Sequence, residues 1–378
     1  MVSVTADPPG GRVIVRRRAP AWVIGVAGLA IAAAVAIRLL IPAGMDASTF
    51  LGLGDDSPIQ TEYARERLGE VPTRAGMGHD GKFFFVQAND PWYLDPTRHA
   101  AVIDRPLYRG QRMLYPMIAG GFGSFPPAVI VWSMLATNLI AIAFGSWLGA
   151  KLAARWGGSS WIGLAIPLNV GLIFEVLIDG AGVIAYVFCL GALYALETDR
   201  RWTASFLFAA AALSREVMIL FAIGVLIGGW LAERRLQWRI VIAPALTMVT
   251  WSVYLRWRLA GVTGVGGGTE NFAPPFAGMW QAIRSWATHP DDLLLSAAIL
   301  VAVVSFTLLA VRSRLSIAWG ALPFVALATV LSINVWREPF DLSRVLAPVF
   351  TAAPYILFLS ERGMTSPAAE QPSSGLHP

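Results

Sequence analysis

Long apolar runs alternate with short polar stretches along the whole chain. Eight of these runs approach the length of about 20 residues that a helix needs to cross the hydrocarbon core of a membrane. They are residues 21–42, 127–150, 161–178, 181–197, 239–257, 293–311, 316–334 and 343–360. A ninth run, 203–232, is interrupted by Ser214, Arg215 and Glu216 near its middle. The pattern predicts an all-α polytopic membrane protein.

The interrupted run 203–232 fits either one long span or a helical hairpin of two short arms. Short cytoplasmic loops collect Lys and Arg, so the basic residues favour one topology. With residues 1–20 inside, a hairpin returns every basic cluster to the cytoplasm. These clusters are Arg12 and Arg16 to Arg18, Lys151 and Arg155, Arg200 and Arg201, Arg234, Arg235 and Arg239, and Arg312 and Arg314. We therefore predict the hairpin, about ten spans, and both termini in the cytoplasm.

Composition excludes an ordinary soluble domain. Of the 378 residues, 56% are apolar and 14% are charged, whereas soluble proteins carry about 25% charged residues. The net charge of +5 is explained by basic residues beside the apolar runs, so nucleic acid is not an expected partner. Cys189 is the single cysteine, which excludes an intrachain disulfide and a cysteine-based metal cluster.

The chain is predicted to form a single transmembrane domain over residues 21–362, which includes an extracytoplasmic loop at 43–126. Residues 1–20 form a cytoplasmic N-terminal segment, and the tail 363–378, rich in Ser and Pro, is predicted to be disordered. The run Gly264–Gly268 lacks the strand–loop–helix context of a phosphate-binding loop. It is interpreted as a flexible outer loop.

The hairpin topology gathers the polar residues that it does not itself explain on one side of the membrane. They lie in the loop 43–126, the Asp179-Gly180 turn, the bend at 214–216, the loop 258–292 and residues 336–344. A loop as long as 43–126 is uncommon without a function of its own. We therefore expect an active site on the extracytoplasmic face of the plasma membrane.

Asp80 stands in the most polar and aromatic part of the first loop. The sequence His79-Asp80-Gly81-Lys82 followed by Phe83 to Phe85 is typical of a turn that enters a short helix, with Asp80 near the N-cap. The three phenylalanines are expected to anchor this helix in the membrane interface. A purely structural alternative is that Asp80 only caps the helix.

The end of the same loop is basic and aromatic. Its relevant residues are Arg105, Tyr108, Arg109, Arg112 and Tyr115. Guanidinium groups bind phosphate through two oxygens at once, and tyrosines are common at the interface, so this strip suits a lipid phosphate. Contact with ordinary anionic lipid is the alternative for each arginine.

Arg215 and Glu216 are unusual because ionisable residues inside an apolar run are costly and generally face a cavity or a partner. Neighbouring positions on a helix project about 100° apart, so we expect the two side chains to meet different partners. The candidate partners on the same predicted face are Asp80, Asp341, Arg337 and Arg344. The alternative is an ion pair that stabilises a helix bend.

No metal site is predicted. Glu175 and Asp179 lie four residues apart on one helix face, which gives a weak signal for a metal or a hydroxyl. His79, His99 and His289 lack the spacing of metal ligands. No cofactor is expected, and a divalent cation is left open.

These features resemble the GT-C class of integral-membrane glycosyltransferases. His79–Phe85 followed by Asn89-Asp90-Pro91 is similar to the Tyr-Asp-Gly-Gln-Phe-Tyr-Tyr motif of bacterial relatives, with His79 in place of Tyr and Lys82 in place of Gln. It is also similar to the Trp-Asp motif of mannosyltransferases of glycosylphosphatidylinositol assembly. The resemblance extends to Arg109–Pro116, Ser214–Glu216 and Glu338–Pro348.

The resemblance implies transfer of a sugar from a polyprenyl-phosphate donor to an acceptor hydroxyl outside the cytoplasm, on a lipid, a glycan or a protein. A carboxylate accepts the proton of the attacking hydroxyl, and arginines stabilise the departing phosphate. The expected site comprises Asp80 as catalytic base, Arg215, Arg337, Arg344, Arg112 and Lys82 on the phosphate, and His79, Glu216, Glu338, Asp341 and Tyr115 in support.

Two other functions compete with glycosyl transfer. A transporter or lipid flippase also places charges in broken helices, but near the membrane midplane and with inverted repeats, which this sequence does not show. A non-catalytic membrane subunit of an envelope assembly uses a charged loop as a docking surface. Acyl or phosphoryl transfer to or from a lipid carrier is a further alternative.

Overall fold

The computed structural model describes residues 19–234, 236–262, 269–287 and 290–359. Within them the chain forms helices and turns, with two isolated β-bridges and no β-strand beyond these bridges. The first half contains α1 Ala21–Leu40, α2 Pro58–Leu68, α3 Gly81–Asn89, α4 Pro96–Val102, α5 Pro106–Arg109, α6 Leu114–Ala119, α7 Pro127–Arg155, α8 Val170–Leu177 and α9 Gly182–Leu196. The second half contains α10 Arg201–Ser214, α11 Ile219–Glu233, α12 Arg239–Arg258, α13 Ala277–Trp286, α14 Pro290–Ala310, α15 Ser316–Thr329, α16 Ile333–Trp336, α17 Pro339–Val345 and α18 Ala347–Leu359.

Several predictions fall on residues that the structure does not describe. They concern the N-terminal segment up to residue 18, the run Gly264–Gly268, His289 and the tail 363–378. The all-α prediction is confirmed for the residues that are described.

Four helices are long and apolar enough to cross a membrane. They are α1, α7, α12 and the part Leu293–Ala310 of α14, and the bent pair α17–α18 adds a fifth candidate span. The helix α9, the helix α15 and the stretch Glu216–Ala232 are apolar but shorter. By length and composition, these helices are consistent with a helical membrane protein. The number of about ten spans and the orientation of the termini stay predictions.

The prediction of one continuous span over 161–178 is wrong. A 3₁₀ turn at Ser160–Ala165 precedes α8, which begins after Asn169. The Asn169 side chain accepts a hydrogen bond from the Leu172 N–H, as an N-cap does. Pro167 lies between the two helical pieces, and proline has no N–H to donate to the hydrogen bonds of a continuous helix.

Two later runs also form shorter helices than predicted. Residues 316–334 are helical in α15 only as far as Thr329. Residues 343–360 are divided at Leu346, where α17 and α18 meet at an angle of 65°. Pro348 is in the first turn of α18, where its missing N–H leaves no helical hydrogen bond unmade, so a new helix begins easily there.

The run 203–232 breaks at Arg215. The backbone of Arg215 is extended (φ −153°, ψ 113°), and it separates α10 from a short 3₁₀ turn and α11. Arg201 at the start of α10 and Ala232 near the end of α11 line the same cavity, together with Arg314. The two arms therefore return to the same end of the bundle, as in a hairpin.

Helix packing places this break at one end of the bundle. The helix α1 packs along α7, α10 lies between α9 and α12, and α11 packs against α15. Of the short helices of the first loop, α2, α3 and α6 pack against α7, α4 packs against α2 and α3, and α5 packs against α12. They carry Asp80 and Arg112 to the end of the bundle at which α10 breaks.

The phenylalanines of α3 are core residues. Phe83, Phe84 and Phe85 are all buried. The ring of Phe84 meets Tyr115 edge-on at 5.4 Å, and Phe85 meets Tyr63 edge-on at 6.2 Å. The prediction that they anchor α3 in the membrane interface is therefore wrong, because α2, α6 and α7 enclose the helix.

Candidate active site

A cavity of about 450 Å³ lies at the end of the bundle where α10 breaks. Its charged lining residues are Asp80, Arg105, Arg109, Arg112, Arg215, Glu216, Asp341 and Arg344. Its neutral polar lining residues are Tyr108, Gln111, Asn271 and Asn334. The first loop, the break after α10 and the segment from α16 to α17 thus contribute to one site.

Asp80 is held between two arginines from distant parts of the chain. Arg109 Nη1 donates to Asp80 Oδ1 at 2.8 Å, and Arg344 Nη2 donates to Oδ2 at 2.9 Å. The Asp80 side chain is 22% exposed, and each arginine side chain is 11% exposed. The carboxylate therefore faces the cavity while both of its oxygens are hydrogen-bonded.

Asp80 occupies the N-cap position of α3, but its side chain makes no capping hydrogen bond. The alternative that Asp80 only caps the helix is therefore wrong.

The backbone next to Asp80 requires a glycine. A Cβ on Gly81 would lie 2.6 Å from the Ile178 carbonyl oxygen and 2.8 Å from that of Phe50. Only glycine allows this close approach, which brings Asp80 next to the turn after α8.

Arg344 connects Asp80 to a second carboxylate. Its Nε donates to Glu175 Oε1 at 2.8 Å, and its Nη1 donates to Asp341 Oδ1 at 3.0 Å. The same Glu175 oxygen accepts a hydrogen bond from Arg215 Nη1 at 2.8 Å. A continuous chain of charge-assisted hydrogen bonds therefore runs from Asp80 to Arg215.

Two glycines make room for the Glu175 carboxylate. A Cβ on Gly180 would lie 1.8 Å from Glu175 Oε2, and a Cβ on Gly182 would lie 2.6 Å from its Cδ. The Gly182 N–H also donates to Oε2 at 3.0 Å. The turn between α8 and α9 thus wraps around the carboxylate and fixes its direction.

Two further ion pairs complete the wall of the cavity. Arg112 donates through Nε and Nη2 to both oxygens of Glu216, at 2.8 and 2.7 Å. Arg109 also binds both oxygens of Asp104. Arg215 and Glu216 therefore meet different partners, as expected from their projections, and neither binds the other among the described ion pairs.

The arginines control the charge of Asp80. Burial alone raises the pKa of Asp80, but the nearby charges of Arg109, Arg344 and Arg112 outweigh burial and hold this pKa well below its ordinary value. Asp80 is therefore ionised at neutral pH. Burial also lowers the pKa of His79, so the imidazole is neutral beside the Phe174 ring, which lies 5.4 Å away.

The structure brings together about half of the site residues predicted from the sequence. The predicted residues that line the cavity are Asp80, Arg112, Arg215, Glu216, Asp341 and Arg344. The predicted residues that do not line it are His79, Lys82, Tyr115, Arg337 and Glu338. Their roles at the phosphate or in its support therefore have no geometric basis in this arrangement.

The residues outside the cavity have other surroundings. Lys82 is buried, and its ammonium donates to Ser57 Oγ and to the Met77 carbonyl. Tyr115 is buried in the core, where its hydroxyl accepts a hydrogen bond from Asn138. Arg337 and Glu338 are exposed. Lys82 is two positions after Asp80 at the start of α3, so helical geometry directs it away from the Asp80 side chain.

Sequence reasoning missed two residues of the charged network. Arg109 was not chosen among the three arginines of its strip, although it is the one that reaches Asp80. Glu175 was considered only as a weak metal ligand together with Asp179. An isolated acidic residue inside an apolar run was the available signal for Glu175, because such a charge requires a partner.

The Glu175 and Asp179 side chains do not form a metal site together. Among the described residues, no group of three His, Cys, Asp or Glu side chains is arranged to hold a metal ion. Glu175 is occupied by two arginines. Asp179 is buried, and neither of its carboxyl oxygens has a hydrogen-bond partner within the described part of the chain.

Comparison with known proteins gives no match to a family, to a curated protein or to a solved structure. The functional argument therefore rests on the geometry and charge of this cavity.

Proposed function

We propose that this protein is a GT-C-type membrane glycosyltransferase that moves a sugar from a polyprenyl-phosphate donor to an extracytoplasmic acceptor on a lipid, a glycan or a protein. The observation that carries the proposal is an ionised Asp80 held between two guanidiniums in a cavity lined by further arginines. Such a site combines a proton acceptor with groups that stabilise a departing phosphate.

The reaction uses each of these groups in a defined way. The acceptor hydroxyl oxygen attacks the anomeric carbon of the sugar, and the bond from that carbon to the phosphate oxygen breaks. The phosphate leaves with the electron pair, and the hydroxyl proton goes to Asp80. Arg215 and Arg344 stabilise the negative charge on the departing lipid phosphate.

Donor binding also strengthens Asp80 as a base. In the arrangement observed, Arg109 and Arg344 hold the pKa of Asp80 well below its ordinary value, after outweighing the effect of burial. A donor phosphate that takes hydrogen bonds from Arg344 weakens this effect. The Asp80 carboxylate then becomes more basic in the loaded site than in the empty one.

The size and position of the cavity suit the head of a lipid-linked sugar. Its volume of about 450 Å³ falls within the usual range of small-molecule sites. It lies at the end of the bundle opposite the cavity lined by Arg201, Ala232 and Arg314. The basic residues of that second end favour the cytoplasm, which supports the proposal of a site on the extracytoplasmic face of the plasma membrane with both termini inside.

A deletion strain tests the proposal most directly. Mass spectrometry of its lipid-linked sugars and envelope glycans should show that one polyprenyl-phosphate sugar accumulates while one glycan loses a sugar. A plasmid encoding the wild-type protein should restore both pools, whereas Asp80→Asn at equal abundance should restore neither. Unchanged pools, or full restoration by Asp80→Asn, would contradict the proposal.

A further inference from the structure

We infer that Glu175 is a positioning residue that aims Arg215 and Arg344 at one phosphate. The inference rests on the proposed function in one respect, namely that the cavity binds the phosphate of a lipid. Glu175 does not itself line the cavity. It acts through the two arginines that do.

The contacts of Glu175 join three separate segments. Its Oε1 accepts hydrogen bonds from Arg215, at the break after α10, and from Arg344 in α17. Its Oε2 accepts one from the Gly182 N–H at the start of α9. The side chain is 1% exposed. A single buried carboxylate thus sets the distance and the direction between two guanidiniums that are 129 positions apart in the sequence.

Arg215 depends on Glu175 more than Arg344 does. Arg344 has three carboxylate partners, which are Glu175, Asp341 and Asp80. Arg215 has one carboxylate partner among the described ion pairs, and this is Glu175. Arg215 therefore keeps more donors for a ligand than Arg344 does, but its orientation rests on one contact.

The glycines around Glu175 show that its direction is constrained. Any side chain at Gly180 or Gly182 would collide with the Glu175 carboxylate, and one at Gly182 would also come within 2.8 Å of Arg215 Nη1. Backbone packing on one side and guanidiniums on the other leave the carboxylate a single position. Such support by a group behind the ligand-binding residues is what holds a site in its productive geometry.

A role of Glu175 in charge balance and a role in positioning predict opposite effects of its removal on anion binding. If Glu175 only balanced the arginines, its removal would make the cavity more positive and an anion would bind more tightly. If Glu175 positions Arg215 and Arg344, shortening it to aspartate keeps the charge, breaks the geometry and weakens binding. Glu175→Asp and Glu175→Gln together separate the two roles.

The experiment measures binding of dodecyl phosphate to the full-length protein in detergent by calorimetry. We expect Glu175→Asp and Glu175→Gln each to weaken binding by about tenfold or more, which is within the range of coupling between residues of one ion-pair network. We also expect Arg215→Ala to cost much less affinity in the Glu175→Asp background than in the wild type, because residues in one network are not additive. Glu197→Asp is the matched control, since Glu197 lines the cavity at the other end of the bundle. The affinity of this variant for dodecyl phosphate should equal that of the wild type.

The outcomes distinguish this inference from the proposed function. Wild-type protein that does not bind dodecyl phosphate contradicts the proposed donor site itself. Binding that is unchanged in Glu175→Asp, or tighter in Glu175→Gln, overturns the inference alone. If both variants aggregate while Glu197→Asp does not, Glu175 is required for folding and the positioning role is likewise overturned.

Discussion

Replacing Asp80 with asparagine removes one negative charge from between two guanidiniums while keeping the shape of the side chain. Asparagine retains one oxygen that accepts a hydrogen bond, so it replaces the contact to either Arg109 or Arg344 but not both. The other oxygen position becomes an amide NH₂, which is a donor facing a donor. The substitution therefore affects folding as well as catalysis.

The size of the two effects follows from the geometry. The pairs at 2.8 and 2.9 Å are partly buried, with side chains 11–22% exposed, and leaving such a donor without a partner costs about 1–3 kcal/mol of stability. Loss of a general base lowers turnover by roughly 10²–10⁴-fold, which corresponds to about 3–5 kcal/mol in the barrier.

The assay must separate these contributions. Transfer of sugar from a polyprenyl-phosphate donor is measured on purified protein in lipid nanodiscs, at a temperature well below unfolding for both proteins. Thermal unfolding of the same samples gives the loss of stability. Asp55→Asn and Asp56→Asn are the matched controls, because both residues belong to the same loop but are exposed and lie outside the cavity.

A parental transfer rate in Asp80→Asn, combined with loss of transfer in Asp55→Asn or Asp56→Asn, would show that another carboxylate is the base. If all three variants transfer at the parental rate, the glycosyltransferase proposal itself is refuted. A stability equal to that of the wild type would show that the two ion pairs of Asp80 contribute nothing measurable to the fold.

Three further predictions concern the donor, the topology and the pH dependence. Arg215→Lys should bind dodecyl phosphate more weakly than wild type, because an ammonium lacks the planar two-oxygen fork; unchanged affinity in Arg215→Ala would make Arg215 structural. With Cys189 replaced, Leu236→Cys should be labelled only from the cytoplasm, and labelling only from outside would refute the hairpin topology. The pKa of Asp80 in the folded protein lies below its ordinary value of 3.8. The stabilisation from its ion pairs is therefore complete above that value and is lost as the pH falls through the folded pKa. Between about pH 4 and pH 2, Asp80→Asn should lose less stability than the wild type, as measured by chemical denaturation.

The positions of most helices follow from hydropathy, but their interruptions do not. Apolar length alone located α1, α7, α9 and α12, because residues that cross a membrane must be apolar over a helical length. The breaks at Pro167 and Leu346 leave the mean hydropathy of their runs nearly unchanged. They depend on proline stereochemistry and on packing, which a count of apolar residues does not include.

The candidate site was predictable where a charge was out of place. Arg215 and Glu216 stood out because they interrupt an apolar run, and Asp80 stood out in its aromatic loop. The partners were not predictable in the same way. Arg109 binds Asp80 across 29 positions of the sequence, and Arg344 binds Glu175 across 169 positions. Local spacing in the sequence does not determine which of several arginines forms such a distant contact.

Every arginine that lines the cavity is already paired with a carboxylate, including Arg105, which contacts Glu270 at 2.8 Å. Because opposite charges this close cancel over distance, and salt screens the remainder within about 8 Å, the site creates little attraction far from its mouth. If the cavity binds an anionic lipid, as proposed, capture of that lipid depends on diffusion within the membrane plane and on exchange of partners at contact. The rate of association should accordingly change little with ionic strength, unlike that of a site with a large field of one sign.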